Sequence, residues 1–282
     1  MEKRRFFGQK SLFTFRVAEQ SMEHSLFIFT LFIVSTSAIF CDNPQVCSSI
    51  GDLTNIFFRG REIEDQPSAV IVQPTRESLS PGDLIMIIQM KGGVINTSSN
   101  YGNIDDLGNV GYFEFATVND TEIIDANQKR IYVENRILRP FDSTGSNSFQ
   151  VIRVPNCVTI NLSTSIECTP WDPATQTGGV VAFAATTINF NNFIISCEGR
   201  GYQGAPPPTE PCRDFDPQLA CGSGIGEGKK GEGIATPDGA NAFCTGKYGN
   251  GGGGGSCDDK TAGGGGGLGS MRFLLYYYTF SL

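Results

Sequence analysis

Only one histidine, His24, occurs in this chain, and it lies inside an apolar leader. Any product cleaved beyond it carries no imidazole, which excludes Ser-His-Asp and Cys-His catalysis and every imidazole metal site. Carboxylates are then the remaining acid–base groups. Asp105 and Asp106 lie in an Asn/Gly-rich loop, GNIDDLGNVG, whose oxygens could ligate calcium. The EF-hand spacing is absent, and a solvated turn accounts for the same composition. Glu114 alternates with Phe113 and Phe115 and is expected to face solvent from a strand. Sugar chemistry by two carboxylates needs no histidine, but no spacing here selects a pair. The sequence assigns no catalytic residue and, calcium apart, no cofactor.

Two nucleotide motifs also fail. Gly226-Glu227-Gly228-Lys229-Lys230-Gly231 fits GxGxxG, yet CGSGI precedes it and GEGIATPDG follows it, where the mechanism needs a strand and a helix. Gly246-Lys247 is followed by Tyr248, so no phosphate-binding GK[ST] exists. Residues 42–282 hold 16 Lys or Arg and 26 Asp or Glu, a net of −10. That balance argues against nucleic acid and anionic lipid as partners, since both need clustered cations.

The nine cysteines carry the other chemistry. No CxxC spacing points to a metal, and disulfides place the protein outside the cytosol. Cys157 and Cys168 flank a short polar loop, NCVTINLSTSIEC, and are expected to bond to each other. Closing so small a loop contributes on the order of 2–3 kcal/mol. Cys212, Cys221, Cys244 and Cys257 are expected to pair among themselves, and Cys47 and Cys197 are further candidates. Asn96, Asn119 and Asn161 head glycosylation sequons, which have meaning in a eukaryotic host.

The elements that must position these groups begin after residue 41. Leu26 to Val34 is an apolar run of signal-peptide length, followed by the small residues Ser35, Ser37 and Ala38. Residues 1–41 therefore read as a cleaved leader, with an uncleaved anchor as the rival. From 42 to 177 short apolar runs alternate with Asn, Asp, Gly and Pro turns: NIFFR, SAVIVQP, DLIMIIQM, YFEFATV, RIYVENRIL, SFQVIRVP and CVTINLST. This period-2 pattern predicts an all-β domain, sandwich-like or a barrel. DLIMIIQM is apolar throughout and reads as buried on both faces. In CVTINLST, Val158, Ile160 and Leu162 are expected on one face.

At Gly178 the rhythm changes. Residues 178–201 read as the first rungs of a short parallel β-solenoid, turning at Asn191-Asn192 with Phe190, Phe193 and Ile195 inward. Residues 202–270 form a glycine-rich segment punctuated by cysteines; 23 of the 71 residues from Gly199 to Gly269 are glycine. Such a segment cannot build an ordinary core, so it is either a flexible linker or a backbone-bonded, disulfide-stapled structure. Residues 271–282 break that composition and read as an atypical tail, consistent with truncation.

From Pro81 to Gly204 the succession PGDLIMIIQMKGG, GNVGYFEFATV, QVIRVP, TPWDPATQTGGVVAF and CEGRGYQG resembles a module of large secreted bacterial surface proteins. Those proteins are adhesin-like and their strands lead into glycine-rich solenoid sequence. The resemblance implies an extracellular location and no known catalysis. The extra cysteines depart from that family's pattern. The glycine-rich segment alone is also similar, in composition, to the extracellular glycine-rich region of some animal receptor tyrosine kinases. The expectation is a secreted or surface-displayed structural or adhesive protein that binds matrix, polysaccharide or a cell-surface ligand. A carboxylate-using carbohydrate lyase or hydrolase and a receptor ectodomain are the alternatives.

Overall fold

Runs of β-branched and aromatic residues between Asn, Asp, Gly and Pro turns leave no stretch with a helical period. The computed structural model accordingly holds strands and no helix among the residues it describes, 32–34, 46–49, 51, 53–95, 104–204 and 231–235. In chain order the strands are β1 Phe32–Val34, β2 Val46–Cys47, β3 Ile56–Asp65, β4 Ser68–Val72, β5 Leu84–Lys91, β6 Val94–Ile95 and β7 Ile104–Asp106. They continue as β8 Phe113–Ile123, β9 Lys129–Val133, β10 Ser148–Val154, β11 Asn156–Asn161, β12 Ile166–Glu167, β13 Ala182–Asn189 and β14 Ile195–Ser196. The fold is all-β.

Six antiparallel strands close into a barrel in the order β10-β3-β4-β9-β8-β5; of the two forms the period-2 pattern allows, the domain takes this one and not the sandwich-like one. The reason lies in two long strands. Ile56 to Arg59 of β3 pair with β10, while Gly60 to Asp65 pair with β4. In β8, Phe113 to Thr117 pair with β5, and Val118 to Ile123 pair with β9. Register shifts at Gly60/Glu62 and Val118/Asp120 sit near these changes of partner. Bulges there bend each strand around a corner, and two such corners let the sheet close on itself. Gly60 has a second use: a Cβ there would stand 2.0 Å from the Phe149 ring, so only glycine lets that ring cross the interior. Phe58, Phe149, Ile85, Ile87, Val118 and Ile131 fill the barrel.

A second layer lies against the barrel wall. Four strands in the order β1-β13-β11-β2 pair entirely in parallel, and β12 pairs in parallel with β14. Asn156 stands beside Ala184 and Asn161 beside Asn189, so one strand–turn–strand unit stacks on the next. Parallel pairing thus begins at Asn156, ahead of Gly178, and reaches back to Val46–Cys47 and to Phe32–Val34 within the expected leader. The left-handed turn at Asn191 and Asn192 (φ 50° and 69°) is as expected, and Phe190 and Phe193 pack on the core that contains Ile195.

β13 is the wall shared by two cores. Ala182 and Ala184 face the barrel's outer side, where they meet Leu84, Met86, Ile152 and Trp171. Val181, Phe183 and Ala185 face away, onto Cys157, Ile160, Leu162 and Ile195. β5 is buried along its whole length, as its apolar run predicts, because one face lines the barrel and the other lies under β13. β11 departs from simple alternation. Cys157 and Ile160 both turn inward and Val158 is left exposed.

The cysteine pairing differs from expectation. Cys157 bonds Cys47, and Cys168 bonds Cys197. Cys157 lies on β11 and Cys168 just after β12, and each is bonded to a cysteine on or beside the neighbouring parallel strand rather than to the other. The stack, not the short loop, sets the partners. Cys212, Cys221, Cys244 and Cys257 lie outside the described residues, as does Asn96.

Candidate functional site

Two side-chain amides join the layers by imitating a strand. Asn55, just before β3, accepts from the Ala182 N–H at 3.0 Å and donates to the Ala182 carbonyl at 2.8 Å and the Arg153 carbonyl at 3.1 Å. Gln150, inside β10, accepts from the Gly178 N–H at 2.9 Å and donates to its carbonyl at 3.0 Å. Both amides are buried, so each backbone pair they satisfy would otherwise be a desolvated orphan. Gly178 is the one residue that fits its place. It has φ +96°, and a Cβ would approach the Pro170 carbonyl oxygen to 2.2 Å. The turn from Asp172 to Thr177 that precedes it is held by the Asp172 carboxylate, which accepts from the Ala174 N–H and the Thr175 hydroxyl.

The end of β5 meets Trp171, just before that turn, and Tyr202 around one ion pair. β5 ends at Lys91, whose side chain is 7% exposed, and Gly92 and Gly93 follow. The ammonium lies 5.4 Å from the Trp171 ring centroid and 5.6 Å from that of Tyr202, and the two rings meet edge to face at 5.2 Å. A desolvated cation between two aromatic faces gains from both ring quadrupoles. It still demands an anion. Glu232 supplies it: one carboxylate oxygen accepts from Lys91 Nζ at 2.7 Å, the other from Trp171 Nε1 at 2.9 Å and from the Gln203 N–H at 3.2 Å.

The chain around Glu232 is seated by its backbone. Glu232 N–H donates to the Gln203 carbonyl at 2.9 Å, and the Gly92 and Gly93 N–H groups both donate to the Ile234 carbonyl, at 2.9 and 3.1 Å. Gly231, Gly233 and Ala235 are buried, and a Cβ at Gly93 would stand 2.9 Å from Ile234 Cδ1. The Tyr202 hydroxyl donates to the Met90 carbonyl at 2.6 Å, and burial, then the Glu232 charge, push its ionisation far above the ordinary tyrosine range. It therefore stays a neutral donor. The arrangement binds an extended, glycine-flanked carboxylate.

The residues expected to do chemistry lie elsewhere. Asp105 and Asp106 are exposed on β7, and the Asp106 carboxylate already accepts the Gly108 N–H at 2.8 Å. Among the described residues no group of His, Cys, Asp or Glu is arranged to hold a metal ion. Glu114 does not simply face solvent, because its carboxylate accepts the Leu138 and Arg139 N–H groups at 2.9–3.1 Å and fixes the turn after β9. Asn119 is exposed on β8, and Asn161 Oδ1 accepts from Asn189 Nδ2 at 2.6 Å across the parallel pair. Sequence reasoning passed over Lys91 and Glu232. The available signal was a lone charge closing an apolar strand, and a glutamate between two glycines.

No family model, curated protein or solved structure matches this chain. The four described cysteines form two disulfides, the kind of cross-link that persists in an oxidising compartment. Among the described residues no helix is long and apolar enough to cross a membrane.

Proposed function

We propose that this is a secreted or cell-surface protein with a non-catalytic structural or adhesive role, in which the barrel seeds a parallel β-solenoid. The observation that carries this reading is the stacking of β11 and β12 on β13 and β14, in register, with one Asn161–Asn189 side-chain bond joining the two rungs. A parallel stack needs a first strand whose register is imposed from outside, and Asn55 and Gln150 supply it. The resemblance of Pro81 to Gly204 to an adhesin-like surface module agrees with this role. Leader removal would free the Ala182–Ala184 edge now paired with Phe32–Val34, which is where a further rung adds. The ligand classes in keeping with the reading are matrix, polysaccharide or another cell-surface molecule.

Secreted protein is expected to start between Ile39 and Pro44 and to retain immobilised polysaccharide or matrix without consuming it, with or without calcium. Turnover of a polysaccharide that is lost on changing Asp105, Asp106 or Glu114 to Ala would replace this reading with that of a lyase or hydrolase.

A further inference from the structure

We propose that Arg59 and Arg61, at the bend of β3, form a binding site for the carboxylate or sulfate groups of an acidic polysaccharide. This rests on the adhesive role proposed above and gives it a ligand class and named residues.

The bend brings the two guanidiniums together. Arg59 is the last β3 residue paired with β10, Gly60 is the first paired with β4, and Arg61 is the extra residue at the register shift. Burial, then the Arg61 charge, hold the ionisation of Arg59 below the ordinary arginine range. Two cations that feel each other's charge call for an anion. Among the described residues neither has a carboxylate partner, whereas Lys91, Arg130, Arg136, Arg153 and Arg200 each have one. Glu62, the next residue along the strand, is exposed and pairs with neither. Acids are not scarce, since residues 42–282 hold 26 Asp or Glu against 16 Lys or Arg.

Where an acid would quench the charge, the site has an amide. The Gln73 side-chain oxygen, just after β4, accepts from Arg61 Nη2 at 2.9 Å, and the Gln73 N–H donates to the Arg59 carbonyl at 2.8 Å. The Ser143 hydroxyl donates to the Arg61 carbonyl. These bonds hold the backbone of both arginines and the head of one without neutralising either. A side chain already held in place loses less entropy when a ligand arrives. Its planar fork of donors matches the oxygens of an oxyanion.

A ligand with separated acidic groups fits such a site. The positive region is small and the chain is negative overall, so a continuous track of phosphates would be repelled beyond it. A polysaccharide instead spaces its acidic groups along a neutral, hydroxyl-rich backbone. Many copies displayed on one surface then add weak contacts by multivalency.

Retention of the secreted chain on immobilised heparin, polygalacturonate and neutral dextran tests the proposal. Wild type is expected to be held by an acidic polymer, less so at high salt, and not by dextran. Preference for heparin or polygalacturonate then identifies sulfate or carboxylate as the group read. Arg59→Gln and Arg61→Gln are each expected to weaken binding roughly tenfold. Arg136→Gln, whose guanidinium is paired with Asp65, is expected to leave it unchanged. Gln73→Glu places a carboxylate against Arg61 and is expected to abolish binding while raising the unfolding midpoint. Cooperative unfolding of each variant is checked first; if Arg59→Gln loses it, Arg61→Gln and Gln73→Glu carry the test. Folded Arg61→Gln or Gln73→Glu protein that binds like wild type overturns the site, as does an equal loss in Arg136→Gln. Tighter binding of a DNA oligonucleotide or of polyglutamate overturns the polysaccharide as ligand. Dextran held as well as heparin overturns the acidic site and leaves adhesion standing. Retention of no polymer overturns the site, and the adhesive role falls with it only if matrix is not retained either.

Discussion

The barrel and the parallel layer solve the same problem, covering strand edges, by opposite means. The barrel closes on itself, fills its interior with large side chains such as Phe58 and Phe149, and holds no cysteine in its six strands. The parallel layer has open edges and a core that includes Ala185 and four cysteines. All four are bonded, at or beside β2, β11, β12 and β14. Closure removes edges and lets burial hold the sheet. A short stack with a thin core lacks that resource, and cross-links shrink its unfolded ensemble instead.

The two disulfides test this division most strongly. Cys47–Cys157 spans 110 residues and brackets every barrel strand, so losing it should lower global stability by about 4–5 kcal/mol. Cys168–Cys197 spans 29 residues within the stack, and its loss should cost about 3–4 kcal/mol. Hydrogen exchange on the Cys168→Ala/Cys197→Ala protein should show lost protection in β12 and β14 with the barrel unchanged. Equal loss of protection in β5 and β10 would mean that the two regions unfold as one.

The amide clips come next. Asn55→Ala strands the Ala182 N–H and carbonyl and the Arg153 carbonyl, and should cost about 2–4 kcal/mol in denaturant unfolding. A smaller effect, under about 1 kcal/mol, would show that water replaces the amide and that the layers are less tightly joined than described.

Lys129 should give the opposite sign. It points into the barrel, 6% exposed, 5.9 Å from the Phe58 ring centroid, and has no ion-pair partner among the described residues. Burial lowers its ionisation below the ordinary lysine range. The charged form is therefore disfavoured in the folded state. Wild-type stability should rise as pH climbs from the lowered folded value towards the unfolded value near about 10.4. Lys129→Met should abolish that rise and stabilise the protein at neutral pH by on the order of 1 kcal/mol. A destabilised variant would show the ammonium to be useful where it is.

The smallest effect belongs to Asp142, in the turn before β10. Burial pushes its carboxyl up, but donors from Thr144, Asn147 and Ser143 outweigh this and hold it below its ordinary range. Its contribution is present above the unfolded value near about 3.9 and is lost as pH falls through the lower folded value. Asp142→Asn should therefore be less stable than wild type at neutral pH, with the difference shrinking in acid unfolding below about pH 4. A difference that persists in acid would assign the effect to packing around Gln89, whose amide is bonded to the Asp142 backbone.

Local pattern alone determined the all-β class, the approximate sites of the six barrel strands, the two-faced burial of β5 and the left-handed turn at Asn191-Asn192; the short pair β6 and β7 fell in what read as a loop. Each feature so determined is a short-range consequence of period, apolar run length or turn chemistry, which neighbouring residues contain in full. The choice of a barrel over a sandwich was not legible, because it depends on bulges in β3 and β8 that shift register without changing the hydrophobic pattern. The disulfide partners were not legible either. Cys157 and Cys168 are near in sequence, but parallel stacking puts Cys47 and Cys197 nearer in space, and only long-range pairing decides that. The same holds for the Lys91–Glu232 ion pair: its partners are 141 residues apart, and it exists only once β5, Trp171 and the glycine-rich segment have met. Spacing along a chain records what one element can do. Which elements become neighbours is decided by the packing of faces that no single element contains.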